Sequence, residues 1–92
     1  MKPRLYLHVV FDAAQKLWQV KRANRSRMAR AERGAMPIRQ EPTKSLVLAW
    51  ARIYGRECWD VHQQPVQLVI HNRNGRFQPD ATYGADPRKS KG

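Results

Sequence analysis

Apolar and polar residues alternate along three segments of the chain, at residues 5–11 (LYLHVVF), 17–22 (LWQVKR) and 66–71 (VQLVIH). A period of two, with many β-branched and aromatic residues, predicts β-strands that each turn one face toward the core. In the first strand Leu5, Leu7, Val9 and Phe11 share one face, and Tyr6, His8 and Val10 share the other. In the second strand Trp18 and Val20 are predicted to lie in the core, and in the third Val66, Leu68 and Ile70 share one face.

Two turn signals connect these strands. Residues 12–16 have the length of a hairpin loop between the first two strands. Asn74-Gly75 predicts a tight turn after residues 66–71, because both residue types tolerate a positive φ. A short strand over residues 76–78 is predicted to follow this turn and to end at Pro79.

Residues 43–54 have the spacing of an amphipathic helix. Thr43 is the predicted N-cap, because its hydroxyl can accept a hydrogen bond from an early backbone amide. Gly55 is predicted to end the helix and residues 56–65 to form a polar connection. Apolar residues recur at i, i+3, i+4 and i+7 and predict the buried face, namely Leu46, Ala49, Trp50 and Ile53.

Residues 23–41 lack a clear period and are interpreted as a long arginine-rich excursion. Two structures remain open within it. One is a weak helical stripe at Met28, Ala31, Ala35 and Met36, and the other is a short edge strand within Met28–Ile38. Gly34 and Pro37 interrupt both patterns.

The order β-β-excursion-α-β-β predicts an α+β fold, with a small antiparallel sheet and one helix packed on one face. Ninety-two residues are expected to form a single domain. The predicted domain covers residues 1–87, and residues 88–92 form a basic, flexible tail. No internal repeat interrupts this organisation.

Basic side chains greatly outnumber acidic ones. Eighteen Lys and Arg residues stand against seven Asp and Glu residues, for a net charge of +11. Residues 1–41 hold ten cations and three acids, a net charge of +7. A small domain this basic attracts polyanions through its long-range field, and Arg suits bidentate phosphate contact. Nucleic acid, either DNA or RNA, is therefore the leading partner class, with an anionic membrane or an acidic protein surface as alternatives.

The cationic residues of the excursion and the tail are the candidate phosphate contacts. Arginines that recur every two to three residues can neutralise several phosphates and release their counterions, with little sequence specificity. The candidate nucleic-acid-binding residues are Lys21, Arg22, Arg25, Arg27, Arg30, Arg33, Arg88 and Lys89, with Lys91 beside them. The competing interpretation is a solvated loop that keeps the protein soluble.

Other chemistry is weakly indicated. Cys58 and His62 have an i, i+4 spacing but lack the further ligands that zinc requires. His8 and His71 lie in predicted strands and could approach each other across the sheet. A histidine-dependent nuclease is one interpretation, and a half-buried histidine that donates to a neighbouring backbone carbonyl is the other. No P-loop, dinucleotide fingerprint or nucleophile motif is present. The expectation is a protein that is not an enzyme and has no metal, cofactor or small-molecule substrate.

The aromatic residues divide between core and surface. Tyr6 and Tyr83 are candidate platforms for base stacking, whereas Trp18 and Trp50 are expected in the core. The lone cysteine, Cys58, excludes an internal disulfide and fits a reducing cytoplasm. No apolar run is long enough for a membrane span. A rival function is assembly, with a homodimer formed through an edge strand or through residues 23–41.

Several short motifs occur in a fixed order at the two ends of the chain. They are His8-Val9-Val10, Trp18-Gln19-Val20, Leu68-Val69-Ile70-His71, Asn74-Gly75-Arg76 and Tyr83-Gly84-Ala85-Asp86-Pro87. In these motifs the chain resembles the small bacterial proteins grouped as domain of unknown function 2188. The middle of the chain departs from the family pattern, since both connections to the helix are longer. The resemblance supports the α+β fold and brings no activity with it.

Overall fold

The alternating segments form the strands of a sheet with one helix against it. The computed structural model describes residues 3–24 and 36–84. The elements are β1 (Leu5–Asp12), β2 (Leu17–Ala23), β3 (Arg39–Glu41), α1 (Lys44–His62), β4 (Val66–His71) and β5 (Phe77–Tyr83). The α+β class and the helix on one face are confirmed.

The sheet is mixed, so the prediction of an antiparallel sheet is wrong in one respect. The strand order is β3-β2-β1-β4-β5, and β1 pairs with β4 in parallel. The reason is the path of α1, which returns the chain to the end of the sheet where β1 begins. There the Gln64 side-chain amide donates to the Pro3 carbonyl at 2.7 Å, and the Leu5 amide donates to the Pro65 carbonyl at 2.9 Å. A strand that starts beside the start of β1 runs parallel to it.

The predicted excursion contains a strand at its end. β3 covers three residues, Arg39–Glu41, and pairs antiparallel with β2. It lies just after the segment Met28–Ile38 in which a short edge strand was one alternative. Residues 25–35, which hold most of that segment and of the alternative helical stripe, are outside the described part of the chain, as are residues 85–92 with the predicted tail.

The face of the sheet toward α1 is the apolar one that the sequence predicts. Leu7, Val9, Val20 and Leu68 are fully buried there, and Trp18 is nearly so. Their alternation places them on one side of three adjacent strands, where they form the core with the helix residues Val47 and Ala51.

The start of the helix is predicted correctly and its end is not. Thr43 caps α1, since its hydroxyl oxygen accepts the Leu46 amide at 3.2 Å. The helix then continues through Gly55 to His62 and ends at Gln63, which adopts the left-handed conformation with φ 54°. Gly55 is a packing residue rather than a stop, because the Tyr83 ring lies where a side chain at position 55 would stand.

The buried face of α1 is rotated from the predicted one. Val47, Ala51 and Gly55 face the sheet, whereas Leu46 and Ile53 are 50% and 65% exposed. Small side chains at the contact let the helix approach the sheet closely. The predicted stripe has equally good helical spacing, and an offset of one residue turns a helix by about 100°.

Two edge features complete the sheet. β5 extends to Tyr83 and does not end at Pro79, which corrects the prediction of a short final strand. Proline is tolerated because β5 is an edge strand, and its pairing with β4 is irregular between Gln67 and Val69.

Asp80 of this strand accepts two hydrogen bonds from the Arg52 guanidinium of α1, at 2.9 and 3.0 Å. These bonds hold the pKa of the Asp80 carboxyl below its usual range.

Replacing Gly55 tests the close contact between α1 and β5. An added Cβ would lie 2.9 Å from two carbons of the Tyr83 ring. Helix propensity alone would make Gly55→Ala stabilising by about 1 kcal/mol, but overpacking of this kind costs about 1–3 kcal/mol. We expect a net loss of about 1 kcal/mol in the free energy of unfolding, measured in urea.

The control is Ala49→Gly at an exposed position of the same helix. This variant measures the difference in helix propensity between alanine and glycine at a position that does not contact Tyr83. It should lower the free energy of unfolding by about 1 kcal/mol. A gain in stability from Gly55→Ala equal to that loss would show that Tyr83 does not constrain position 55.

Candidate functional site

The face of the sheet away from α1 is called here the open face. Register places its side chains in rows across the strands, and they are Tyr6, His8, Val10, Gln19, Lys21, Gln67, Val69, His71 and Phe77. His8 is fully buried at its centre.

His8 and His71 form a hydrogen-bonded pair on this face. His8 lies on β1 opposite Val69 of β4, two residues before His71, so the rings meet diagonally across a parallel strand pair. Their Nδ1 and Nε2 atoms are 2.7 Å apart. One nitrogen donates and the other accepts, so two imidazolium rings could not keep this bond. Because His8 is buried and only His71 lines a cleft, the geometry gives no support to a reaction that needs both rings at one phosphate.

Polar side chains satisfy one another along the same face. The Gln19 side-chain amide donates to Asp12 Oδ2 at 3.2 Å and to Gln40 Oε1 at 2.9 Å. The other Asp12 oxygen accepts the backbone amides of Ala14 and Gln15 in the β1–β2 turn. This carboxylate is therefore engaged by donors of the protein itself.

A cleft lies at the end of the sheet where β1 and β4 finish. The two strands are parallel, so the turn of residues 13–16 and the loop of residues 72–76 emerge at the same end. The cleft between them has a volume of about 470 Å³. Its lining residues are Val10, Phe11, Ala13, His71, Asn72, Arg73, Gly75 and Phe77.

Aromatic rings fix the charged and apolar sides of the cleft. The Arg73 guanidinium lies 4.4 Å from the centroid of the Phe11 ring, which in turn packs on Trp18. Stacking on an aromatic face holds a guanidinium plane in place while its N–H groups remain directed outward. On the other side, the Phe77 ring lies 4.2 Å from the His71 ring, centroid to centroid, and is 49% exposed.

The loop of residues 72–76 is a tight hairpin, as Asn74-Gly75 predicts. Gly75 has φ +85°, and its amide donates to the Asn72 carbonyl at 2.9 Å. The Arg76 amide donates to Asn74 Oδ1 at 3.0 Å. These bonds define the loop conformation and present Arg73 and Arg76 at its surface.

Four cations gather at this end of the sheet, and we call them the basic end: Lys16, Lys44, Arg73 and Arg76. Lys44 joins the helix start to the loop, since its Nζ donates to Asn72 Oδ1 at 3.1 Å. Within residues 3–24 and 36–84, the ion pairs are Arg39–Glu41, Arg52–Asp80 and Arg56–Asp60. None of these ion pairs involves the basic end, although the charge of Lys44 contributes to lowering the pKa of the Asp80 carboxyl.

Two of the phosphate contacts predicted from sequence fall in the described residues, and they do not share a face. Lys21 pairs with His8 in the register and lies on the open face, whereas Arg22 pairs with Leu7 and lies on the side of the helix. Successive residues of a strand point to opposite faces, and β2 continues to Ala23. The other predicted contacts lie outside the described residues, namely Arg25, Arg27, Arg30, Arg33, Arg88, Lys89 and Lys91.

The candidate stacking residues also separate. Tyr6 lies on the open face, in register with Gln67. Tyr83 instead packs against Gly55, and burial raises the pKa of its hydroxyl. Trp50 stacks on Tyr54 at the edge of the core, with ring centroids 4.9 Å apart.

The remaining candidate ligands lie on α1. Cys58 packs beside the core, and His62 is exposed in the last turn. In the described part of the chain, no three His, Cys, Asp or Glu side chains are grouped as a metal would require. The same residues contain no helix with the length and apolar character to cross a membrane.

The basic end was not predicted from the sequence. Asn74-Gly75 was interpreted as a turn alone, without the flanking Arg73 and Arg76, and the last strand was ended too early. A usable signal was present, because a two-residue turn between two arginines brings both to the tip of one hairpin. The contributions of Lys16 and Lys44 had no such signal, since they depend on which elements meet at this end.

Comparison with known proteins identifies the family. The family model described as "Uncharacterized protein conserved in bacteria (DUF2188)" matches residues 7–83. This chain belongs to the DUF2188 family. The matched part of this DUF2188 protein includes both histidines, the cleft and the loop that carries Arg73 and Arg76. Neither the curated proteins nor the solved structures contain a match.

A double-mutant cycle on the histidine pair tests its structural role. His71→Leu removes a hydrogen-bond partner from buried His8, which should lower the free energy of unfolding by about 1–3 kcal/mol. His8→Leu should act similarly. In the double variant, the loss in the free energy of unfolding should be smaller than the sum of the two single losses by at least about 1 kcal/mol. The reason is that neither histidine then remains as a polar ring that has lost its partner.

The control cycle combines His71→Leu with Ile53→Ala, an exposed residue on the helix. Distant changes of this kind add within about 0.5 kcal/mol. If the two histidine changes were equally additive in urea unfolding, the 2.7 Å hydrogen bond would contribute no coupling and this role would be wrong.

Proposed function

We propose that this DUF2188 protein binds nucleic acid through phosphate contacts at the basic end, with little sequence specificity. The observation that carries the proposal is the position of Lys16, Lys44, Arg73 and Arg76 at the end of the sheet that holds the cleft, where Arg73 lines the cleft and none of the four has an ion pair to a described carboxylate. Exposed cations outside the described ion pairs are available to an external anion, and Lys16, Arg73 and Arg76 are of this kind.

Most of the described carboxylates already have hydrogen-bond donors within the protein, including Asp12, which lies between the cleft-lining residues Phe11 and Ala13. Glu41 and Asp80 are paired with Arg39 and Arg52, and Asp12 accepts backbone amides. The two others in the described residues, Glu57 and Asp60, are on the exposed surface of α1. With a net charge of +11 for the whole chain, the field favours approach of a polyanion.

Arg73 is the best-prepared phosphate ligand of the group. Its stack on Phe11 restricts the side chain before any partner arrives, so less conformational entropy is lost when its N–H groups bind phosphate oxygens. Arg76 projects from the same tight loop. Guanidinium groups suit phosphate because they donate two parallel hydrogen bonds.

Low sequence specificity follows from the kind of contact. Phosphate contacts position a protein on nucleic acid but do not read its bases. The single described helix presents small residues to the sheet and is held there by the core, so no feature favours its insertion in a groove. The predicted contacts at Arg25, Arg27, Arg30, Arg33, Arg88 and Lys89 would add to the same attraction and stay predictions.

Charge-matched double variants test the location of the site. Arg73→Gln/Arg76→Gln should weaken binding to a nucleic-acid oligomer and reduce the slope of log K against log salt. For every phosphate that the variant no longer neutralises, the slope should fall by about 0.7 on a single strand or about 0.9 on a duplex. The measurement is fluorescence anisotropy over a salt series.

The matched control is Arg52→Gln/Arg56→Gln, which removes the same charge from α1. It should leave the slope nearly unchanged. Equal effects of both variants would assign binding to net charge alone, and wild-type protein that ignores nucleic acid at low salt would refute the proposed function.

A second candidate function is assembly with a second copy of this chain, favoured by the apolar stripe on the exposed side of α1. Leu46 and Ile53 are half-exposed or more, and exposed Ala49 lies between them. Strand-edge pairing is less favoured, because β3 has three residues and β5 contains Pro79. The helix is thus the better candidate surface for self-association.

Neutral polar variants separate the two candidates. Under assembly, Leu46→Gln/Ile53→Gln should convert an oligomer to a monomer in sedimentation equilibrium, with nucleic-acid affinity retained because no charge changes. Arg73→Gln/Arg76→Gln serves as the comparison and should keep the wild-type mass. A wild-type protein that is monomeric at every concentration would exclude this assembly.

A further inference from the structure

The cleft at the basic end has an apolar wall that phosphate binding does not use. Phe77 lines it and exposes 49% of its surface, although a phenylalanine is usually buried in a core. Phe77 stands at the start of an edge strand, and the cleft that it lines is also lined by Arg73. The combination of ring and cation indicates a ligand with both a flat apolar face and a negative charge.

Other described residues keep the Phe77 ring in place. The ring contacts His71 at a centroid distance of 4.2 Å, and His71 is itself held by the hydrogen bond to buried His8. A stacking surface that is fixed in advance binds with a smaller loss of side-chain entropy. The histidine pair thus supports the wall of the cleft from the centre of the open face.

The size and charge of the cleft restrict the occupant. A volume of about 470 Å³ lies in the range of small-ligand sites, and the cation that lines the cleft is Arg73, which shares the hairpin loop with Arg76. Nucleobases have a π-face that stacks on aromatic side chains whatever the base, and each is joined to a phosphate. An acidic peptide would satisfy the cations but would leave the exposed ring without a matching face.

We propose that the cleft takes one unpaired base of a single-stranded nucleic acid, stacked on Phe77, while the adjoining phosphate binds Arg73 and Arg76. This inference rests on the proposed function and specifies its substrate class. Bases within a duplex are paired and stacked on one another, so they cannot enter the cleft without being extruded. The protein should therefore prefer single strands to duplexes at equal salt.

Substitutions at Phe77 test the stacking contact. Affinities would be measured by anisotropy for wild type, Phe77→Ala, Phe77→Leu and Phe77→Tyr, each with a DNA and an RNA single strand and with a duplex of the same length. Removal of one stacking contact should weaken single-strand binding about tenfold in the Ala and Leu variants. The Tyr variant keeps a π-face and should stay near wild type, and duplex binding should not change.

Two controls keep folding and charge separate from stacking. Ile53→Ala removes a similarly exposed apolar side chain from α1 and should alter no affinity. A single strand that contains abasic positions keeps every phosphate but lacks bases, so wild type should bind it about as weakly as Phe77→Ala binds the intact strand. Thermal unfolding of each variant verifies that the fold is retained.

The possible results separate the inference from the proposed function. Equal affinity of wild type for intact and abasic strands, with no effect of Phe77→Ala, would overturn base stacking while phosphate binding stands. Failure to bind any strand or duplex at low salt would remove both. Tighter binding to duplex than to single strand would also overturn the inference, and a difference between DNA and RNA would identify the source of the base.

Discussion

The described helix α1 covers one face of the five-stranded sheet, and the organisation of the other face centres on a buried polar ring. This ring is that of His8, which is fully buried at the centre of the open face, and its hydrogen bond to His71 gives it a polar partner. A buried polar ring is stable in such a place when a partner satisfies it. Because the His71 ring also contacts the Phe77 ring, this hydrogen bond connects the centre of the open face to the wall of the cleft.

Most of the fold can be predicted from the sequence, because the alternation of residues along the strands is a strong signal in this chain. Leu7 and Val9 share one face of their strand as predicted, and Val20 lies in the core as predicted. The helix was harder, since two apolar stripes share its surface. Choosing between Val47 and Leu46 as the inward residue requires knowing how closely the sheet approaches, and that depends on Tyr83, which is distant in sequence. The parallel pairing of β1 with β4 likewise depends on where the helix ends.

The candidate site is harder to predict from the sequence than the fold, because it also depends on contacts between residues that are distant along the chain. Charge density along the chain directs attention to the run of cations that begins at Lys21, of which Lys21 and Arg22 are described and lie on opposite faces of β2. The basic end is assembled from residues of a turn, a helix start and a hairpin, which are widely separated in sequence. Proximity of this kind is set by topology, and local patterns do not report it. The family match confirms which part of the chain is shared without adding a role for any residue.

The parallel pairing of β1 and β4 has a consequence for the order of folding. Each of these strands belongs to a local hairpin, β1 with β2 and β4 with β5, and such pairings form early because little chain entropy is lost. Joining the two hairpins closes a long loop, since His8 and His71 are 63 positions apart. The cleft lies where the two hairpins meet, so a chain that had formed both hairpins without pairing β1 with β4 would lack the cleft. A transient separation of β1 from β4 in the native state would also remove the cleft.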